Sequence, residues 1–534
     1  MSASELETYL QRAKCRGVDI EECSISQLQK YLSKGTFTSR DLTQCYLQKI
    51  TRINPRLRAV IETNPDALDI ADRLDAECRA GHIRSPLHGI PFLAKDNVAT
   101  KDRMQTTAGC AALTGTIVSE DARVITLLRD AGAVLLGKAN LSEFASMRSS
   151  YYAEGYSSRG GLNRNPYNLQ HNTGGSSSGS ASSVASNMCA FSIGTETDGS
   201  VMFPADRNAV VGIKPTVGLT SMRGVIPEAP SMDTVGPFGR SVEDAVTILG
   251  VIRERGESED LMPYTTLLSK KDTLHGAKFG LPWKRVWESV SHDCEYETVY
   301  KFLMGVIHKI EEAGAQIIKV DLPSAGEIMP PDGWDWTYGE GKTHSKFSEF
   351  EVVRSEFYHS LQVYLDGLEK NEKGIRSLED IVAYNIENTT VEGGVPGTHR
   401  AWPLGQDNFH KAIETKDQPK EIYIRALEYV RRKSREEGID AALQHEGKQL
   451  DGLLVPLQAE GGVACSVAAK AGYRMITVPV DIDKHGVPFG IAIIQTACKE
   501  DLLIKYGSAI EDLVRGRTLP RFLNLEAKNY PYVG

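Results

Sequence analysis

The stretch that decides the fold is rich in glycine and serine and runs directly into apolar segments. Residues 174–183 read GGSSSGSASS, and residues 184–205 continue as VASNMCAFSIGTETDGSVMFPA. On composition alone, the first part could be a flexible linker. However, the small residues from Ala181 to Ala190 have helical spacing, and CAFSIGTETDGS passes from an apolar strand into a glycine turn. Because a linker does not normally lead into a buried element, we favour ordered structure here.

A second interpretation of this stretch is a nucleophile elbow. Residues 175–179 fit the pattern G-x-S-x-G, with Ser177 at its centre. An elbow needs a strand immediately before it, whereas residues 164–173, RNPYNLQHNT, are polar and turn-like. Short serine-glycine runs also produce the pattern by chance, so Ser177 is the weaker candidate.

The amino-terminal part of the sequence has helical periodicity and helix-capping residues. Ser26 is a candidate cap for a first helix, and Thr38 or Ser39 for a second helix that ends before Pro55. A longer amphipathic run, PDALDIADRLDAECRAG, follows. We therefore predict that about residues 1–80 form an N-terminal helical segment.

The sequence that follows alternates short apolar runs with helical periods. HGIPFLAKDN predicts a strand whose end carries Lys95. DARVITLLRDAGAVLLG predicts a helix that stops near Gly132 and then a buried strand, and GKANLSEFAS predicts a helix with Asn140 as its cap. Later strands are predicted in GAQIIKVDL, DGLLVPLQ, YRMITVPV and PFGIAIIQ, before a final helix in KEDLLIKYGSAIEDLVRG. This alternation predicts an α/β fold, in which helices cover the faces of a sheet.

About residues 325–430 differ from the rest, because they are polar, rich in aromatic residues and without a strand rhythm. We predict that they form a variable, mostly helical insertion over the sheet. Its aromatic side chains either cover the mouth of a site and bind an apolar group, or pack the insertion's own core. The aromatic residues that could cover the mouth of the site are Trp334, Trp336, Trp402 and Phe409. We predict that all 534 residues form a single domain, and that its core, at about residues 81–250, carries the functional residues.

The composition is that of an acidic globular protein. Acidic residues outnumber basic ones by 70 to 61, which gives a formal net charge of −9. That balance argues against a basic nucleic-acid interface and against a cationic membrane-binding surface. No apolar run approaches the roughly 18 residues of a membrane helix, and the first ten residues lack the apolar region of a secretory signal. We therefore expect a cytoplasmic protein without nucleic-acid or membrane partners.

The spacing of cysteine and histidine gives no sign of a metal site or a disulfide framework. The nine cysteines are scattered without a Cys-x-x-Cys pair, which is typical of reduced thiols in a reducing compartment. The twelve histidines lack ligand spacing, no HExxH motif occurs, and His445-Glu446 stands alone. We therefore predict neither a metal nor another cofactor.

Several motifs together resemble those of the amidase signature family. GGSSSGSASSVAS and GTETDGSVMFPA are similar to the family's GGSSGGSA and G-T-D-x-G-G-S-I-R-x-P-A patterns, and HGIPFLAKDN, GKANLSEFA, RNPYN, VGIKPTVGL and GVPFGIAII fall in order around them. The resemblance runs from about Pro86 to Arg240 and resumes near Asp451, whereas residues 325–430 match nothing in it. It implies a large mixed sheet with helices on both faces, and cofactor-independent hydrolysis of a carboxamide.

The family's catalytic residues fall on three positions of this sequence. The resemblance places the lysine on Lys95, the bridging serine on Ser176 and the nucleophile on Ser200, and it implies a cis peptide bond between Gly175 and Ser176. A serine hydroxyl is nearly inert at neutral pH without a base, and a lysine can be that base only if it is uncharged. Because Lys95 follows an apolar strand, a partly buried position is expected, and burial favours the neutral amine.

These residues imply a proton relay. Ser200 attacks the amide carbonyl, Ser176 takes the proton of Ser200, and neutral Lys95 receives the proton of Ser176. The same path returns a proton to the leaving nitrogen, and water then clears the acyl-enzyme. The backbone N–H groups expected to form the oxyanion hole are those of Thr197, Asp198, Gly199 and Ser200.

Three positions depart from the family motif. Met202 stands where arginine is usual, Asp198 stands where glycine is usual, and Glu196 replaces an aspartate. The GTETDGS version resembles the subgroup that contains peptide amidases, which release ammonia from C-terminal carboxamides. Because the arginine that could anchor a carboxylate is missing, we expect a neutral small-molecule or peptide amide in preference to glutamine.

The resemblance leaves two other functions open. The chain could be the amidase component of a tRNA-dependent amidotransferase, or a catalytically silent scaffold on the same fold. The complete Lys95, Ser176 and Ser200 set argues against a silent scaffold. The acidic balance and the missing arginine weigh against the amidotransferase. We therefore expect a free-standing hydrolase, as a monomer or homodimer.

Overall fold

The computed structural model describes residues 12–254, 262–331, 335–457 and 462–525. Its central element is a mixed sheet of eleven strands. In chain order these are β1 Val60–Thr63, β2 Pro91–Lys95, β3 Val134–Ala139, β4 Phe191–Glu196, β5 Val211–Lys214, β6 Thr234–Gly239, β7 Lys278–Pro282, β8 Gln316–Val320, β9 Gly452–Val455, β10 Arg474–Ile482 and β11 Pro488–Gln495. The strands predicted from the sequence are all among them.

The order of the strands brings two distant motifs together. Across the sheet the order is β8-β7-β9-β11-β10-β5-β6-β4-β2-β3-β1. The pairs β2–β3, β2–β4, β7–β8 and β7–β9 are parallel, and the other neighbouring pairs are antiparallel. Since β2 and β4 are parallel neighbours, their carboxyl ends, Lys95 and Glu196, lie at the same edge of the sheet.

Helices cover both faces of the sheet, as the sequence predicted. Their α-helical ranges are Ile25–Ser33, Ser39–Leu57, Ala67–Arg79, Arg123–Asp130, Ser178–Ala185, Met202–Arg207, Val242–Ile252, Glu288–His292, Glu297–Glu312, Ala325–Ile328, Glu349–Asp366, Leu378–Glu387, Thr389–Glu392, Asp407–Ile413, Lys420–Ser434, Asp440–Ala442, Val463–Ala471 and Glu500–Val514. In the described part of the chain, no helix combines the length and the apolar character that crossing a bilayer requires.

Two predicted helix boundaries near the amino terminus were wrong. The first helix is capped by Ser24 and not by Ser26, because the Ser24 hydroxyl accepts a hydrogen bond from the backbone N–H of Gln27. The second helix continues through Pro55 to Leu57. The proline removes one backbone hydrogen bond and its ring crowds the carbonyl four residues earlier, but the apolar face of this turn is buried in the core, which offsets that cost.

The helix predicted after Asn140 was also wrong. A single 3₁₀ turn, Glu143–Ser146, occupies this stretch, and Phe144 and Ala145 both have positive φ angles. The Asn140 side chain does not cap a helix; it donates hydrogen bonds to two carbonyl oxygens elsewhere in the chain. Because the asparagine fixes neighbouring loops, the segment follows an irregular path instead of an α-helix.

Residues 325–430 are mostly helical, as predicted, and an apolar cluster joins them to core loops beside the sheet. This cluster joins insertion side chains such as Phe357 and Phe409 to Phe144 of the core. A small antiparallel pair between Thr116–Val118 and Leu368–Asn371 adds a backbone connection. The insertion is therefore anchored beside the edge where β2 and β4 end.

Candidate active site

Lys95, Ser176 and Ser200 meet at the edge of the sheet where β2 and β4 end. Lys95 Nζ lies 2.7 Å from Ser176 Oγ, and Ser176 Oγ lies 2.9 Å from Ser200 Oγ. The exposed fractions of the three residues are 0%, 1% and 6%, respectively. The peptide bond between Gly175 and Ser176 is cis. An unbroken line of hydrogen bonds therefore links a buried amine to a serine hydroxyl at the cavity surface.

The hydrogen-bond partners of the Lys95 amine are all neutral groups. Its Nζ lies 2.9 Å from Thr195 Oγ1 and 3.2 Å from the Thr195 carbonyl oxygen, and it forms no ion pair with any carboxylate of the described residues. Complete burial lowers the pKa of Lys95 to about 7, and the nearby carboxyl groups of Glu228 and Asp233 oppose this shift when they are ionised. A large fraction of Lys95 is therefore uncharged near neutral pH, as a base must be.

The turn that carries Ser200 is shaped by Glu196. The Glu196 carboxylate accepts hydrogen bonds from the backbone N–H groups of Val201 and Met202, at 2.6 and 2.8 Å. Gly199 has a φ of +78°, and a side chain at this position would overlap a neighbouring aromatic ring. These features end β4, begin the next helix and place Ser200 at the junction.

The same turn offers free backbone donors. The N–H groups of Thr197, Gly199 and Ser200 form no hydrogen bond with any other residue in the described ranges. Thr197, Asp198 and Ser200 line the cavity above the turn. Donors at such a position can stabilise an oxyanion that forms beside Ser200.

The glycine-serine segment is neither a linker nor an elbow. It is buried and continues into the helix Ser178–Ala185, whose Ser180 hydroxyl donates to the Ile193 carbonyl of β4. Ser177 is fully buried and its hydroxyl donates to the Thr195 carbonyl at 2.9 Å, so it is tied to the strand and does not line the cavity. The flexible linker and the nucleophile elbow centred on Ser177 are therefore both wrong.

A cavity of about 190 Å³ gives access to the two serines. Its wall combines apolar side chains with four acidic ones. The lining residues are Ala145, Ser146, Tyr152, Glu154, Gly175, Ser176, Thr197, Asp198, Ser200, Phe203, Glu228, Trp336, Glu349 and Val353. Glu349 is paired with Lys470, at 2.6 Å between Oε2 and Nζ. The insertion supplies Trp336, Glu349 and Val353, so it forms part of the site.

Only one of the described aromatic candidates lines the cavity. Trp336 is a lining residue, whereas Trp402 is buried beneath Arg148, whose guanidinium lies 3.7 Å from the ring centroid. Phe409 is fully buried and stacks on Phe357. Trp334 lies outside the described residues. Trp336 therefore fits the role of covering the site and contacting an apolar group of the substrate. Trp402 and Phe409 instead pack the interior of the insertion.

The sequence analysis missed the acidic groups behind the turn. Thr197 Oγ1 lies 2.7 Å from Glu228 Oε2 and 2.6 Å from Asp233 Oδ1. Both carboxyl groups are buried, and burial raises both pKa values. No spacing rule links these residues to Thr197, because their proximity comes from the loop before β6 and from the antiparallel pairing of β6 with β4.

In the described part of the chain, one buried cluster contains side chains of the kinds that bind metal ions. Cys110 and Glu143 of the core lie close to Glu392 of the insertion. The Arg148 guanidinium forms ion pairs with both carboxylates of this cluster. Because the protein's own cation already occupies the position that a metal ion would take, the cluster is a buried salt bridge.

Comparison with known proteins gives a consistent result. The family described as Amidase matches residues 41–392. A relative from Schizosaccharomyces pombe, whose name contains the word amidase, is 47% identical over 97% of this chain and 90% of its own length. A glutamyl-tRNA(Gln) amidotransferase component from Acinetobacter baumannii is 30% identical over 91% of this chain and 95% of its own length.

The solved structures agree with the sequence relatives. Native peptide amidase from Stenotrophomonas maltophilia superposes with a TM-score of 0.82 at 38% identity, and the match covers 94% of this chain and 99% of that one. Because this superposition spans nearly the whole of both chains, the large mixed sheet with helices on both faces is a fold that the two proteins share. The chain therefore belongs to the amidase family and is an amidase.

Proposed function

We propose that this amidase cleaves a carboxamide C–N bond through an acyl-enzyme on Ser200, with release of ammonia or an amine. The observation that carries the proposal is the hydrogen-bonded path from Ser200 through Ser176 to Lys95. No metal or cofactor is needed for this chemistry, because the lysine supplies the base.

The first half of the reaction forms the acyl-enzyme. Ser200 Oγ attacks the carbonyl carbon while its proton passes to Ser176 Oγ, and the proton of Ser176 passes to Lys95 Nζ. When the tetrahedral intermediate collapses, the path runs in reverse and delivers a proton to the leaving nitrogen. A water molecule then uses the same path to hydrolyse the ester on Ser200.

The turn before Ser200 supplies the electrostatic part of the mechanism. The negative charge on the carbonyl oxygen would be stabilised by backbone N–H groups of Thr197, Asp198, Gly199 and Ser200. Such donors are preorganised, because the glycine turn and the Glu196 carboxylate already fix the backbone. Each donor of this kind typically lowers the barrier by about 2.7–4 kcal/mol.

The substrate that the cavity favours is a neutral carboxamide, such as a peptide amide or an aryl amide. The acidic side chains of Glu154, Asp198, Glu228 and Glu349 line the cavity. Those that are ionised would repel the free carboxylate of a substrate such as glutamine. Met202, which replaces the family's arginine, is fully buried and supplies no cationic anchor. The similarity to a peptide amidase supports the same substrate class.

A substrate panel tests this preference. We expect kcat/KM to be at least about tenfold higher for a peptide amide than for glutamine, which corresponds to about 1.4 kcal/mol of transition-state stabilisation. Faster turnover of glutamine would refute the substrate assignment while leaving the relay intact.

A screen with the isolated chain tests the choice between a free-standing hydrolase and an amidotransferase component. We expect the chain to hydrolyse simple amides without partners, as a monomer or homodimer, and to keep its rate after treatment with a chelator. Activity that depends strictly on added tRNA and partner proteins would favour the amidotransferase. The identity of 38% to the peptide amidase, against 30% to the amidotransferase component, supports the first outcome.

A further inference from the structure

Thr197 bridges two buried carboxyl groups beside the catalytic cavity. Its Oγ1 lies 2.7 Å from Glu228 Oε2 and 2.6 Å from Asp233 Oδ1. Distances this short between oxygen atoms require one proton in each contact. A threonine hydroxyl carries a single proton. One of the two carboxyl groups must therefore be protonated for both hydrogen bonds to exist.

The surroundings of the two carboxyl groups identify the protonated one. Asp233 Oδ2 accepts backbone N–H groups of Glu228 and Ala229, at 2.9 and 3.0 Å. Two amide donors stabilise a carboxylate anion, so Asp233 is the group suited to carry the charge. The Glu228 carboxyl has no comparable amide donors among the described residues, and only 7% of the residue is exposed. Burial and the charge of Asp233 raise the pKa of Glu228 well above its ordinary value.

We propose that Glu228 is a neutral acid in the active enzyme and acts as a positioning residue, by donating a hydrogen bond to Thr197, which in turn donates to Asp233. This chain of hydrogen bonds fixes the side chain of the first residue in the turn that leads to Ser200. It also keeps a negative charge off the cavity wall near Lys95. The inference rests on the proposed function in so far as Lys95 is the base.

The charges around these residues explain why a neutral Glu228 matters. An ionised Glu228 would be the largest electrostatic influence that opposes the low pKa of Lys95. The carboxyl groups that face Lys95 are Glu228, Asp233, Glu196 and Glu154. Those that face Glu228 are Asp233 and Glu349, with Lys95 as the facing cation. Protonation of Glu228 removes one buried negative charge from this acidic surrounding, so Lys95 gives up its proton more readily.

A matched pair of variants tests which carboxyl holds the proton. Glu228→Gln preserves a hydrogen-bond donor toward Thr197 and cannot ionise, so we expect it to keep a higher kcat on a peptide amide at neutral pH than either Glu228→Ala or Asp233→Asn. Asp233→Asn replaces the proposed anion with a neutral group, and we expect kcat to fall by at least about tenfold. The reverse ranking would overturn the assignment, because it would place the proton on Asp233.

The pH profile separates this role from simple packing. We expect the alkaline decline that follows ionisation of Glu228 to be absent in Glu228→Gln, while the rise through the pKa of Lys95 stays in place. A Glu228→Gln profile identical to the parent's at high pH would contradict the proposal. Glu228→Ala, which lacks any donor to Thr197, should lose at least about tenfold in kcat with little change in KM.

Infrared spectroscopy provides a readout that does not depend on activity. The parent at neutral pH should show the carbonyl band of a buried protonated carboxyl group, and the difference spectrum against Glu228→Gln should assign that band to Glu228. Absence of the band from this difference spectrum would overturn the proposal even if Asp233→Asn fails to fold. If the band is present but the parent hydrolyses no amide, the proposed function fails and the protonation of Glu228 stands.

Discussion

Residues 81–250 and residues 325–430 both line the same cavity, but they contribute to it in different ways. The first region supplies Lys95, Ser176 and Ser200 from strand ends and tight turns, where backbone geometry fixes each side chain. The second supplies Trp336 from a loop, together with Glu349 and Val353 from one face of a helix. The reacting groups thus come from the first region alone, whereas the cavity wall is formed by both regions.

This difference reflects how strongly each role restricts the sequence. The reacting groups must lie within hydrogen-bond distance, which requires glycine where a side chain would overlap its neighbours. A cavity wall requires only an apolar or polar surface of suitable size, and many sequences can provide it. We therefore expect substitutions in the first region to change the rate of the chemical step, and substitutions in the second to change binding.

The largest effect should come from Ser200→Ala. Removal of the nucleophile should lower kcat/KM on any amide that the parent cleaves by at least about a thousandfold, since the other members of a catalytic unit cannot act without it. Steady-state kinetics and thermal unfolding would be measured together. Because the hydroxyl is small and lies at the cavity surface, the unfolding temperature should stay within a few degrees. Retained hydrolysis in a folded variant would exclude Ser200 as the nucleophile.

The next largest effect should come from Lys95. Lys95→Arg preserves a positive charge but cannot supply a neutral amine, so it should lower kcat/KM by about a hundredfold or more, as much as Lys95→Ala. In the parent, kcat/KM should rise with pH through the pKa of about 7, because the active form of Lys95 is the deprotonated one, and should decline again only at the alkaline pH at which Glu228 ionises. Near-parental activity of the arginine variant would show that Lys95 acts only through its charge.

The sequence predicted the first region well because its local patterns carry the geometry. The strand ending at Lys95, the buried helix after Ser176 and the turn before Ser200 are each encoded by neighbouring residues, and the resemblance to the amidase signature family joined them in the right order. The exception is the segment after Asn140, where side-chain contacts with distant loops replaced the predicted helix by a 3₁₀ turn.

Long-range contacts limited the predictions for the rest of the site. Glu228 and Asp233 reach Thr197 only because β6 pairs with β4, and local sequence does not specify that pairing. Likewise, composition indicated an aromatic helical insertion but could not distinguish Trp336, at the cavity, from Trp402, in the interior. Both distinctions depend on how separate segments pack.

A smaller and more selective effect should come from Trp336→Ala. Loss of this part of the cavity wall should raise KM for an aryl amide by at least about tenfold, because losing the contact of even one methylene group in an apolar pocket costs roughly 1–3 kcal/mol. The value of kcat, and both constants for a small aliphatic amide, should change little. Trp336→Phe should retain most of the affinity. An equal loss on large and small amides would show that Trp336 supports the catalytic groups and not the substrate.

The smallest effect on catalysis should come from Trp402→Ala, which is the matched control within the same insertion. Trp402 is 2% exposed, packs against Tyr156 and Arg148, and is absent from the cavity wall. Truncation should lower the free energy of unfolding by about 3–5 kcal/mol, as is typical of a buried tryptophan. Denaturant titration measures that loss, and kinetics on the folded fraction should give kcat and KM within about twofold of the parent for both amides. A change in selectivity equal to that of Trp336→Ala would mean that the insertion shapes the site as one rigid unit. The proposed difference between Trp336 in the cavity wall and Trp402 in the interior would then be wrong.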